Sequence, residues 1–99
     1  MLMNEVKARK MIEDEDFSFI RERLKKKIKD GGLGWNQKKV LSVEEHYKGF
    51  LFVCWKYRKE RQIPTKDIDH FWHNHILYTK KYKNFCDRVF GYFLHHTPK

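Results

Sequence analysis

Long apolar runs are missing from this sequence: the longest, Phe50-Leu51-Phe52-Val53-Cys54-Trp55, has six residues. A bilayer-spanning helix needs about 20, so no membrane partner is expected. Cysteine is scarce. Cys54 and Cys86 are too few for a disulfide framework, and free thiols in a reducing, cytoplasmic setting are the expectation. Met1 to Lys10 lacks the apolar block and small-residue cleavage site of a secretion signal. Proline occurs only as Pro64 and Pro98, and there is no repeat, linker or low-complexity tract. No phosphate-binding glycine loop and no nucleophile triad is visible, so enzyme status stays open.

What is present is aromatic and basic. Of 99 residues, 16% are Phe, Trp or Tyr, which supplies a core that a disordered chain would lack. The length fits one domain over residues 1–99. Twenty-two Lys and Arg against 13 Asp and Glu leave a net charge of +9. The two signs are interleaved, so a solvated surface is the first reading of the excess. The second is contact with an acidic protein, or weak nucleic-acid contact, through Lys25, Lys26, Lys27 and Lys29. No base-reading motif accompanies that run.

Apolar spacing predicts an all-α fold, a small bundle of about four helices with a docked C-terminal tail. Phe17, Ile20, Leu24 and Ile28 form a helical stripe over residues 15–30, with Gly31 to end it. Residues 1–14 either extend that helix or form a short one of their own. A second helix runs from Asn36, or from the capping-box spacing at Ser42-Val43-Glu44-Glu45, to about Arg61. Thr65 caps a third, carrying Ile68, Trp72 and Ile76 inward to about Leu77. The fourth follows Thr79, with Tyr82, Phe85, Cys86 and Val89 on one face, and Gly91 ends it. Breaks are expected near 31–35, 62–65 and 78–79.

Five of six histidines fall late in the chain: His70, His73, His75, His95 and His96. Imidazole, thiolate and carboxylate are the donor set of zinc and related divalent metals. Asp69 and His73 stand one helical turn apart, but His73 and His75 are about 200° apart on a helix. His-x-His spacing alone therefore supports structural histidines as well as it supports ligands.

The string from Ile63-Pro64 through Ile68-Asp69-His70-Phe71-Trp72-His73-Asn74-His75, then Tyr82, Phe85-Cys86-Asp87 and Gly91 to His95-His96-Thr97-Pro98, resembles the glycine-rich-domain-containing-protein-like family. The resemblance covers residues 63–98 and is looser over 35–58. It places Asp69, Trp72, His73, His75, Tyr82, Cys86 and one of His95 or His96 on marked positions, and it leaves His70 off them. It implies a small metal-binding domain. Zinc or another divalent ion would be held by His73, His75 and His95 or His96, with Asp69 as ligand or as the partner that fixes a histidine. His73 is expected to matter most, and Cys86 reads better as a small buried hydrophobe than as a ligand. The other reading is a basic interaction module with structural histidines.

Overall fold

Three helices begin where a side chain satisfies their first free N–H groups. Asn4 accepts from the Lys7 amide at 2.9 Å, Asn36 from Lys39 at 2.8 Å and Thr65 from Ile68 at 3.3 Å. They open α1 (Glu5–Asp14), α3 (Gln37–Lys56) and α4 (Lys66–Leu77). Between the first two lies α2 (Ser18–Lys25), and α5 (Thr79–Val89) follows α4 after Tyr78 alone. The Asp16 carboxylate accepts from the Ser18 amide at 2.9 Å as α2 starts. That hydrogen bond holds the carboxyl below its ordinary pKa.

This computed structural model describes residues 4–96, and they contain five helices and no strand. The expected helical class holds. The count of four is corrected to five, because α1 is separate and α2 stops early. Lys26 turns extended (φ −60°, ψ 152°). The carbonyls this exposes are taken up from beyond the turn: Leu33 and Trp35 donate to Leu24, and Gly34 donates to Lys26. A short 3-10 turn, Ile28–Asp30, occupies the space where the stripe was expected to continue.

Gly31 ends that turn at φ +91°, a conformation that favours glycine. Gly32 is constrained by space instead. A Cβ there would lie 2.2 Å from the Lys26 carbonyl oxygen and 2.6 Å from that of Arg23, both backbone atoms. Gly32→Ala is therefore expected to cost about 1–3 kcal/mol as an overpacked substitution. Urea unfolding measures it, and a loss under half that range would mean that the loop relaxes freely.

The 20 residues of α3 form the central element, against which α1, α2 and α4 pack, while α5 lies on α4 and α1. The core centres on Phe17, at the start of α2. Its ring lies 5.7 Å from Tyr47 on α3, 5.9 Å from Phe71 on α4 and 5.9 Å from Phe85 on α5. All four rings are fully buried, so one aromatic cluster ties four helices together and supplies large buried area for a short chain.

The α2–α3 contact also contains buried charge. Arg21 donates to Glu44 at 2.6 Å, and Lys48 lies 3.4 Å from the other Glu44 oxygen. Lys48 also donates to the Glu13 carbonyl at 2.9 Å. This reaches the end of α1 and fixes the α1–α2 corner on α3.

A candidate anion-binding cleft

Helix α4 runs without distortion through the histidine segment, so rotation separates what the spacing put together. His75 is fully buried and His73 is exposed. The Tyr47 hydroxyl and His75 Nδ1 are hydrogen-bonded at 2.8 Å. The ring stands edge-on to Tyr82 at 4.8 Å and close to Phe17 at 4.9 Å. Burial pushes its pKa down to about 3, so it is neutral at ordinary pH. His70 rests against Trp35 at 6.2 Å, and its carbonyl accepts from Asn74 at 2.8 Å.

Of the residues expected to form one centre, the fold brings two into contact. His96 Nε2 pairs with Asp69 Oδ1 across the sequence from α4 to the tail. His95 is exposed, with its ring 4.8 Å from Phe93. Among the described residues no group of three or more His, Cys, Asp or Glu side chains could hold a metal ion. The expected zinc-type site on Asp69, His73, His75, His95 and His96 is thereby corrected. A straight helix sends His73 and His75 apart, and the remaining pair is too small a donor set. Cys54 and Cys86 are buried free thiols. Burial raises Cys86 and pushes Cys54 up to about 12, so neither is a ready thiolate.

The tail is docked by a relay of hydrogen bonds. Trp72 Nε1 donates to Tyr82 at 2.9 Å, and the Tyr82 hydroxyl donates to the Leu94 carbonyl at 2.5 Å. The His96 ring then lies 4.3 Å from the Trp72 indole, tilted by 42°, while its nitrogen engages Asp69. Residues 97 and 98 of the expected tail lie outside the described residues.

So held, the tail forms one wall of a cleft of about 700 Å³. The segment after α3 and the first turn of α4 line it as well. Arg58, Lys59, Arg61 and Lys66 line it, against the carboxylates of Glu60 and Asp69. Trp72, Ile63, Pro64, Tyr92 and Leu94 give it apolar surface. Arg58 is positioned by its bond to the Trp55 carbonyl at 2.9 Å and lies 5.5 Å from that indole. The volume falls in the range of small-molecule sites, and such a mixture of apolar wall and convergent polar groups is their usual lining.

This cleft was not anticipated from the sequence, because residues 57–61 read as the last turn of a helix. The structure ends α3 at Lys56 and turns there, with Glu60 donating to the Tyr57 carbonyl at 2.8 Å. The available signal was the density of cations just before Pro64: Lys56, Arg58, Lys59 and Arg61 within six residues.

Fold and site together define a small helical domain with a basic, aromatic-lined cleft. The chain belongs to the UCP032817-like family, whose sequence model matches residues 7–99. That match replaces the resemblance to the glycine-rich-domain-containing-protein-like family, which was tight over the His-rich string of residues 63–98 and looser over 35–58. No curated protein matches the chain. No solved structure does either. No helix among the described residues is long and apolar enough to cross a membrane.

Proposed function

We propose that this protein is a binding module whose cleft takes a small anionic ligand, a phosphate or carboxylate carried on an apolar or planar body. The observation that carries the reading is the meeting of four cationic side chains and the Trp72 wall in one concavity of about 700 Å³. Each half suits a different part of such a ligand. Guanidinium and ammonium groups recognise the anion by charge-assisted hydrogen bonds. Indole and proline surfaces cover the apolar part, and cationic stems extend that cover.

Adenosine monophosphate is a suitable probe, with adenosine and inorganic phosphate as its two halves. In amide-resolved NMR titrations, shifts are expected at residues 58–66, at the Trp72 indole and at 92–96. Lys66→Ala or Arg58→Ala is expected to weaken binding about tenfold, the size of one lost charge-assisted bond. Shifts scattered over the basic surface and indifferent to Lys66→Ala would refute the cleft as the site.

A further inference from the structure

Ile28 continues the stripe of Phe17, Ile20 and Leu24 in the sequence, yet in the fold those three are buried and Ile28 is 77% exposed. The helix that carries the stripe has already ended at Lys25, and the 3-10 turn points the Ile28 side chain away from the core. This loop is tightly built. Gly32 donates to the Lys27 carbonyl at 3.1 Å and Gly34 to that of Lys26 at 2.8 Å. Gly32 leaves no room for a Cβ. A fixed backbone thus holds a large aliphatic side chain in water, with Lys26, Lys27 and Lys29 exposed beside it and Asp30 as the one nearby acid in the loop. Lys25 is engaged differently, with Gln37 at 2.9 Å and Glu22 at 3.3 Å.

Such a tip presents two chemistries at once. A nucleic-acid backbone would use the charges and leave Ile28 in water. An acidic protein would need a pocket placed between its carboxylates. An anionic bilayer surface accepts both without special shape: the headgroups meet the ammonium groups, and the aliphatic side chain enters the acyl boundary beneath them. We infer that the loop of residues 26–34 docks peripherally on anionic lipid surfaces, with Ile28 as the inserted residue. This changes the expectation of no membrane contact, which rested on the lack of a spanning helix. It is independent of the cleft.

Co-sedimentation with phosphatidylcholine vesicles, with and without phosphatidylserine, tests it on the full chain. Binding is expected only with phosphatidylserine and is expected to fall as salt rises. Ile28→Ser keeps the charge and is expected to weaken partitioning about tenfold, the effect of one large aliphatic side chain left in water. The pair Lys27→Glu and Lys29→Glu is expected to abolish it. All three positions are exposed, so melting curves should match the wild type and separate lost docking from lost fold. Polyuridylate serves as a purely electrostatic comparison, and its binding should be indifferent to Ile28→Ser. Vesicle binding equally indifferent to Ile28→Ser would overturn the proposal, as would wild-type protein that ignores phosphatidylserine at low salt.

Discussion

Replacing Glu44 with alanine is expected to destabilise the fold by about 3–5 kcal/mol, the cost of breaking a buried ion pair from one side. Glu44 and Lys48 are only 6% and 7% exposed, and Arg21 is largely covered where it meets Glu44. Removing the carboxylate leaves the Lys48 ammonium in a desolvated place with the Glu13 carbonyl as its remaining hydrogen-bond acceptor. It also leaves Arg21 without its 2.6 Å acceptor. The melting temperature is expected to fall by roughly 15 °C or more for a domain of this size. Glu44→Leu combined with Lys48→Met removes the two most buried charges and should recover part of the loss, since an apolar pair of similar volume is often no worse than the ion pair, while the partly exposed Arg21 is left to turn to water. High salt should not rescue Glu44→Ala, because buried groups are poorly screened. Urea unfolding of the single and paired variants gives both numbers. A single-variant loss below about 1 kcal/mol would place this contact among ordinary surface pairs.

The same residues show where the sequence was readable. The spacing of Glu44 and Lys48 on one helix is visible in the sequence, but their burial depends on Arg21 and Glu13 from two other elements. Asn36 and Thr65 announced α3 and α4 because capping is local chemistry, satisfied within three residues. Ile28 misled because its periodicity is intact while the backbone has already left the helix at Lys26, held by donors from Leu33 to Trp35. The end of α3 misled for the opposite reason. No glycine or proline marks Tyr57, so a turn that builds half of the cleft looks like more helix.

The histidines divide in the same way. That His73 and His75 cannot share a ligand follows from helix rotation, and the undistorted α4 realises it. The weight placed on His73 as the leading residue has no support in its exposed position, whereas His75 occupies the centre of the aromatic core. The pairing of Asp69 with His96 lies 27 residues apart and depends on the Trp72, Tyr82 and Leu94 relay. No spacing rule reaches across such a turn.

His75 is expected to give the protein a steep acid-side loss of stability. Its folded-state pKa is pushed down to about 3 by burial, from 6.5 for an exposed imidazole. The unfolded chain therefore binds a proton between those values and the folded chain does not. Stability rises with pH wherever the unfolded state holds more protons. The contribution is fully present above pH 6.5 and is lost as pH falls toward 3, at about 1.4 kcal/mol per pH unit. Over that window the loss is on the order of 5 kcal/mol, a large share of a small domain's stability. The tautomer follows from hydrogen-bond economy. If the Tyr47 hydroxyl donates to Nδ1, the ring proton sits on Nε2, which has no hydrogen-bond partner among the described residues and is surrounded by aromatic rings. The reverse assignment would leave both the phenolic proton and the Nε2 lone pair unmet among the described residues, so the first is favoured. Nitrogen chemical shifts of His75 should report the Nε2–H form across neutral and mildly acidic pH. Replacing Tyr47 and His75 together with phenylalanine removes the titrating group without orphaning its partner. The difference between wild-type and double-variant stability, measured by urea unfolding from pH 7 to pH 4, should then fall by about 1.4 kcal/mol per unit below pH 6.5. Parallel curves for the two proteins would mean that His75 takes up its proton in the folded state and that its burial is not what the structure gives.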